Sequence, residues 1–219
     1  MSASASTGIA VIGTGALGSA LLPCLLGQPI QSFTLVDGDR VEASNLSNQP
    51  LFNHRDVGEF KVDALCANLR FRVPNKQFTA VPRFLSASNA RALLCGHGVV
   101  ADCTDDLHAK ELIDRVCAEL RIPLVSGALH RDQGQVLVLL AKREGNACAR
   151  SDVFAGRIGP DQDGCDMQLV PMHAIEAVAQ RMSDAIAELI GDRHMVNGAL
   201  DLYEGAQRQW ISFRPAAAW

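Results

Sequence analysis

Two hydrophobic rhythms alternate along the first part of the chain. Short, nearly continuous apolar runs predict strands at 9–12, 32–37, 77–81, 99–103 and 123–128. Between them, apolar residues recur every three or four positions and predict helices at 16–26, 60–71, 87–95 and 107–120. Val62, Leu65 and Leu69 share one face of the second helix, which Val73-Pro74-Asn75 stops. Pro23 falls inside the first helix and predicts a kink there. A polar loop rich in Asp, Asn and Ser runs over 38–58. Strands that alternate with helices require crossover connections, right-handed by rule. The expected fold class is therefore α/β, a Rossmann-like doubly wound sheet, mainly parallel, with helices on both faces.

Beyond 128 the rhythm changes. An apolar strand is expected at 135–141, followed by an irregular crossover loop over 142–168 with no periodicity; so long a loop in a compact domain is usually functional or mobile. Pro171 is placed to open a long helix. Met172, Ile175, Ala179, Met182, Ile186 and Leu189 form its apolar stripe, a core face or else a dimer contact, and Gly191 ends it. Runs at 200–204 and 209–213 predict a hairpin turning at Gly205, which makes the C-terminal part an antiparallel extension. The whole of 1–219 reads as one domain, with 1–7 a flexible lead.

Composition narrows the function. The chain has 219 residues, 48% of them hydrophobic, and a formal net charge of −4. That suits one well-filled α/β domain and gives no basic surface for nucleic acid. No apolar run approaches the roughly 18 to 20 residues of a membrane span, and the N-terminus lacks the basic-then-apolar pattern of a secretory signal. Seven cysteines, an odd number, are scattered through predicted elements. They read as reduced thiols of a cytoplasmic protein, not as a disulfide framework. The six histidines form no paired metal-binding spacing.

The chemistry concentrates after the strands. Gly13, Gly15 and Gly18 have G-x-G-x-x-G spacing after the first apolar run. Gly13 suits the turn, Gly15 lets a phosphate approach the backbone, and Gly18 allows helix and strand to pack closely. Asp37, ending the second strand, stands where a ribose hydroxyl is met. These features point to a nucleotide without choosing among NAD, FAD and ATP. The following segment, Asp37-Gly-Asp-Arg-Val-Glu-Ala-Ser-Asn45, adds Asp39, Ser44 and Asn45, and Lys61 opens the next helix. That set suits the phosphates of ATP better than a dehydrogenase, although a lone helix lysine is by default solvated. In Asp102-Cys-Thr-Asp-Asp106, a carboxylate at the end of the fourth strand would hold Mg²⁺. The competing role is a helix cap, by Asp105 or Thr104.

Taken together, Gly13-x-Gly-x-x-Gly18, Asp37-x-Asp39-x-Val41, Ser44-Asn-Leu46, Gly58-x-x-Lys-Val62, Asp102-Cys-Thr-Asp105 and Val125-Ser-Gly-Ala128 occur in the order and approximate spacing of the ThiF/MoeB/HesA family. The chain resembles these adenylyltransferases, relatives of ubiquitin-activating enzymes, from Gly8 to about Phe213. The resemblance implies ATP, Mg²⁺ and a small ubiquitin-fold or sulfur-carrier protein whose C-terminal Gly-Gly carboxylate is adenylated. It implies that Gly13, Gly15 and Gly18 form the nucleotide turn and Asp37 holds the ribose. Ser44, Asn45 and Lys61 then approach the phosphates, Asp105 binds Mg²⁺, and a homodimer is expected.

Three departures accompany the resemblance. Asn48 stands where the family usually has an arginine. No basic residue precedes the first strand, where many members carry another. Arg40, Arg55 or a partner protein would have to replace these charges. The family's paired C-x-x-C zinc ligands are reduced to Cys148, with Ser151 in the companion place, so no structural zinc is expected. Cys165 matches a cysteine that forms a thioester or persulfide in several relatives, but Asp163 and Asp166 flank it and oppose a thiolate. Two alternatives stay open: a catalytically degenerate partner that binds a ubiquitin-like protein or an active homologue, and an NAD-dependent oxidoreductase.

Overall fold

The computed structural model describes residues 8–140, 150–154, 169–191 and 197–214. The expected positions of Cys148 and Cys165, and most of 142–168, lie outside them. Eight strands form one mixed sheet in the order β3-β2-β1-β4-β5-β6-β7-β8. The parallel part is built from β1 (Gly8–Ile12), β2 (Ser32–Val36), β3 (Gln77–Val81), β4 (Val99–Asp102) and β5 (Leu124–His130). The antiparallel extension adds β6 (Gln133–Leu139), β7 (Ala199–Glu204) and β8 (Gln209–Phe213). The α/β expectation and its C-terminal antiparallel extension hold.

The helices are α1 (Ala16–Leu25), α2 (Lys61–Arg72), α3 (Ala90–Leu94), α4 (Leu107–Leu120), α5 (Arg150–Val153) and α6 (Met172–Ile190). They divide between the two faces of the sheet. Leu17, Leu21 and Leu25 of α1, Val62, Leu65 and Leu69 of α2, and Val178 and Met182 of α6 pack over Ile9, Val11, Phe33 and Leu35. On the other face, Leu94 of α3 and Ile113, Val116 and Cys117 of α4 cover Ala10, Ile12, Val36 and Val100. The alternation of Ile9 and Val11 with Ala10 and Ile12 is the period-2 geometry of a strand buried on both sides. α1 and α2 lie on one face and α3 and α4 on the other, so the chain reverses its direction of travel between β1 and β4. Open α/β sheets hold their ligands at that reversal.

Several boundaries differ from the sequence expectation, each for a local reason. Pro23 lies in the last turn of α1, and the helix ends two residues later. The third helix is shorter than 87–95 because Asn89 folds back: its side-chain oxygen accepts from Ser86 N, and its amide donates to Phe84 O. β5 and β6 run on toward each other as one hairpin, with Arg131 at φ 54° in the turn. No Asn-Gly or Asp-Gly pair advertises that turn in the sequence. The polar loop 38–58 contains two 3-10 turns, Ala43–Ser47 and His54–Asp56. On α6 the stripe is a core face, but its centre is Ile175, Val178, Ala179, Met182 and Ile186. Met172 is exposed, because Pro171 caps the helix rather than beginning it.

Asp201 ties the last strands to α6. It is 2% exposed, accepts from Arg181 Nε at 2.7 Å and from Arg214 Nη1 at 2.8 Å, and so joins β7, α6 and the end of β8. Burial alone would raise its pKa, but the hydrogen bonds from Arg214 and Ser212 and the Arg181 charge hold it below the ordinary carboxylate value. A depressed folded-state pKa contributes stability that is complete above the unfolded value, about 4, and is lost as pH falls through the folded value. Asp201→Asn is therefore expected to destabilise the protein at pH 7 and to close the gap to wild type below about pH 4. Urea denaturation across pH measures this; a gap independent of pH would refute the ion-pair account.

Candidate active site

The C-terminal ends of β1, β2 and β4 open into a cavity of about 1270 Å³. Its floor is the turn after β1. Gly13 has φ +84°, a conformation that favours glycine, and a Cβ there would lie 2.9 Å from Cys103 O. A Cβ on Gly18 would fall 2.1 Å from Gly13 O, so this glycine sets how closely α1 approaches its own turn. Gly15 differs: its Cβ position meets nothing within 4 Å. Gly15 is the N-cap residue of α1, no side chain caps the helix, and Gly15, Ala16 and Leu17 line the cavity. This is bare helix N-terminus facing open space, an arrangement suited to an anion.

Asp37, just past β2, grips this turn. Its Oδ2 accepts from Thr14 N at 2.7 Å and from Thr14 Oγ1 at 2.9 Å, and its Oδ1 accepts from Asp39 N at 2.8 Å. It is 8% exposed and still lines the cavity. Asp39 lies on the same wall and accepts from Lys61 Nζ at 3.0 Å; the lysine stem is buried and the carboxylate half exposed. Lys61 is thus not a solvated helix residue. Its backbone N–H donates to Asp39 O, which pins the start of α2 to the loop after β2.

Ser44, Asn45 and Asn48 line the wall beyond Asp39. Ser44 Oγ donates to Glu42 Oε2, and Asn45 Oδ1 accepts from Glu42 N, so a capping box holds this 3-10 turn in shape. Neither Arg40 nor Arg55 lines the cavity. Arg40 donates to Gly58 O at 2.7 Å and lies 4.0 Å over the Phe60 ring. Among the described residues, the Lys and Arg side chains that line it are Lys61, Lys110 and Arg150.

The loop after β4 closes the far wall. Asp105 is exposed at the cavity lip. The cap of α4 is neither Asp105 nor Thr104 but Asp106, whose Oδ1 accepts from Ala109 N at 2.7 Å. Asp102 turns inward, into a buried set of polar groups. His108 and His130 line the cavity, as do Phe84 and Leu85 in the loop after β3. Beyond the loop ends, the wall is formed by the faces of the antiparallel strands: Gln133 and Gln135 of β6, Leu202 and Glu204 of β7, and Ile211 of β8.

Of the residues singled out in the sequence, Gly13, Gly15, Asp37, Asp39, Ser44, Asn45, Asn48, Lys61 and Asp105 all line this one cavity. Gly18 packs behind it. Cys165 lies outside the described residues. Cys103, Cys66 and Cys117 are buried, and burial pushes each thiol well up, to about 11 for Cys66 and about 12 for Cys117. Cysteines so placed are poor nucleophiles. Thr14, Lys110, Ser126 and Arg150 were not foreseen. Among the described residues, no group of three or more His, Cys, Asp or Glu side chains converges as a metal site.

A glycine turn, a carboxylate after β2 and an acidic loop after β4, all at the reversal point of a doubly wound sheet, define a Rossmann-like α/β protein. The chain belongs to the ThiF family, whose model matches residues 2–218. It is 38% identical over 131 residues to the adenylyltransferase and sulfurtransferase uba4 of Pyricularia oryzae, covering 60% of this chain and 27% of that one. To the molybdopterin-synthase adenylyltransferase of Salmonella typhimurium it is 35% identical over 142 residues, covering 65% of this chain and 57% of the relative. The chain thus spans well under two thirds of the length of these relatives. In fold it is similar to Escherichia coli MccB solved with AMPCPP and MccA, with a TM-score of 0.79 over 97% of this chain and 64% of that one, at 14% identity.

The two inner glycines make opposite demands on the backbone. Gly18→Ala drives a Cβ into Gly13 O and is expected to cost about 2 kcal/mol or more. Gly15→Ala, placed in open space at an ordinary φ, is expected to change stability by less than about 0.5 kcal/mol. Urea denaturation of both variants checks the contrast; equal losses would refute it.

Proposed function

We propose that the protein is an ATP-dependent adenylyltransferase of the cytoplasm. It activates the C-terminal glycine carboxylate of a small ubiquitin-fold or sulfur-carrier protein ending in Gly-Gly, and it works as a homodimer. The observation that carries this reading is the convergence of the glycine turn, Asp37, Lys61 and Asp105 on one cavity that continues along the faces of β6 to β8. The names of the two relatives support it, as does family membership across residues 2–218.

The residues present fit ATP and Mg²⁺. Open space over Gly15 and the uncapped start of α1 suit phosphate oxygens, and Asp105 at the lip is free of the capping duty that Asp106 performs. Asp37 meets the ribose from a carboxylate already oriented by Thr14 and Asp39. Gly13, Gly15 and Gly18 shape the floor, while Ser44, Asn45, Asn48 and Lys61 approach the phosphates. Asp105 holds Mg²⁺, which screens the charge of the phosphates. A carboxylate oxygen of the carrier attacks the α-phosphorus, the new P–O bond forms, and the bond to pyrophosphate breaks. No protein nucleophile is required, so catalysis rests on positioning and charge neutralisation. In a second step, the Cys165 thiolate attacks the acyl-adenylate carbonyl to form a thioester as AMP leaves, or attacks the outer sulfur of a donor persulfide to form its own persulfide as the donor thiolate leaves.

The test is ATP–pyrophosphate exchange that depends on the carrier. Asp105→Ala and Lys61→Ala are each expected to lower exchange by about a hundredfold or more, with unfolding temperatures close to wild type. Cys165→Ala should retain exchange and lose only the later transfer. Absence of exchange with every candidate Gly-Gly carrier would sink the reading. Carrier binding without ATP binding, seen by calorimetry, would instead identify a non-catalytic partner protein.

A further inference from the structure

Asp102 is fully buried, and its two oxygens face different ways. Oδ1 accepts from Thr104 N at 3.0 Å and from Thr104 Oγ1 at 2.7 Å. Oδ2 accepts from Ser126 Oγ at 2.6 Å and from Lys110 Nζ at 2.9 Å. Lys110 also donates to Gly127 O at 2.8 Å. Behind Ser126 stands Arg150, the first residue of α5. Its Nη2 donates to Ser126 Oγ at 2.9 Å, and its Nε and Nη2 donate to Asp114 at 2.8 and 3.1 Å. Two acids and two bases from β4, α4 and α5 thus form a buried, charge-neutral set beneath the cavity.

The set has more partners than packing alone demands. A buried carboxylate needs one good counter-charge and satisfied lone pairs. Lys110 and Ser126 already close that requirement on the Oδ2 side. The Oδ1 side is spent wholly on the backbone and hydroxyl of Thr104, the residue immediately before Asp105. The bend that carries Asp105 to the cavity lip is therefore held from below by Asp102. Ser126, shared between Asp102 and Arg150, makes the orientation of that carboxylate depend on where α5 docks.

We infer that Asp102 is the positioning residue for the Asp105 loop and that Arg150 sets its orientation through Ser126. This rests on the adenylation reading, in which Asp105 holds Mg²⁺ with ATP. It goes further by making the metal preference of the site depend on a residue that touches neither metal nor nucleotide. The competing account is a salt-bridge set that serves stability alone.

The discriminating quantity is the ratio of ATP dissociation constants in EDTA and in saturating Mg²⁺, measured by calorimetry on the full chain. Asp105→Ala sets the value of a site without its metal carboxylate. Thr104→Val, which removes the Oγ1 donor, and Arg150→Lys, which keeps the charge but not the two-nitrogen grip, are each expected to lower the wild-type ratio by about tenfold. Thr104→Ser, which restores the hydroxyl, should keep the wild-type ratio. Thr104 and Arg150 also line the cavity, so the dissociation constant in EDTA can shift as well, but in Thr104→Val and Arg150→Lys it should shift by less than the constant in saturating Mg²⁺. Wild-type ratios in both Thr104→Val and Arg150→Lys, beside a collapsed ratio in Asp105→Ala, would overturn the positioning role. Equal weakening with and without Mg²⁺ would do the same, leaving a structural set only. If the wild type binds ATP with no Mg²⁺ effect, or not at all, the adenylation reading itself fails and takes this inference with it.

Discussion

The carboxylate of Asp37 holds together the part of the molecule on which the site depends. One oxygen takes both donors of Thr14 and the other takes the N–H of Asp39. The glycine turn after β1 has little side-chain substance of its own, and glycine turns are entropically costly to order. Fastening it to the end of β2 leaves the start of α1 uncapped yet fixed. Cys103 N donating to Ile12 O and Gly13 N donating to Val36 O complete the lacing of three neighbouring strand ends. The walls at the ends of β1, β2 and β4 are tied to this knot.

The electrostatics of the cavity follow a single pattern in which its buried cations already have partners. Lys61 is held by Asp39, Lys110 by Asp102, and Arg150 by Asp114. Desolvation explains the pairing, since an unpaired charge at these depths costs several kcal/mol. Asp102, though completely buried, stays below its ordinary pKa: burial pushes it up, but the Lys110 charge and the hydrogen bonds from Ser126 and Thr104 outweigh that push. Asp114 shows the opposite balance, with burial winning over Arg150 and raising its pKa. Lys61 differs from the other two cations because its partner is half exposed. Asp102 is fully buried and Asp114 nearly so, so the pairs they make are shielded from water in a way that the Lys61–Asp39 pair is not.

Much of the architecture was legible because the sequence signals were local. Continuous apolar runs such as 9–12 and 99–101 suit a strand covered on both faces. The Leu-rich spacing of α1 and the extent of α4 follow from periodicity, although the cap of α4 falls on Asp106 and not on Asp105 or Thr104. The cavity-lining residues were legible for a related reason: strand ends in this topology point to one edge, so a motif just past a strand is carried there. What stayed hidden was long-range and side-chain specific. Nothing in the spacing of Asp102, Lys110, Ser126 and Arg150 shows that they meet. The β5–β6 hairpin was missed because Arg131 takes a left-handed conformation without the usual Gly or Asn. Arg40 looked available for phosphates from its place in the sequence, but stacks on Phe60 instead.

The seam at β5 also divides the cavity into two kinds of surface. On the parallel side, the wall is made of loop ends, where backbone groups face inward and an added methyl at Gly13 or Gly18 is excluded by neighbouring carbonyls. On the antiparallel side, the wall is made of strand residues, Gln133 to Gln135 of β6, Leu202 to Glu204 of β7 and Ile211 of β8. The first surface is built by backbone and the second largely by side chains, with Gly134 packed against Val178. Gln133, Gln135, Leu202, Glu204 and Ile211 can be exchanged without disturbing a single hydrogen bond of the glycine turn. A protein built this way can exchange side chains at the β6–β8 end of its cavity while the hydrogen bonds that hold the glycine turn at the β1–β4 end stay in place.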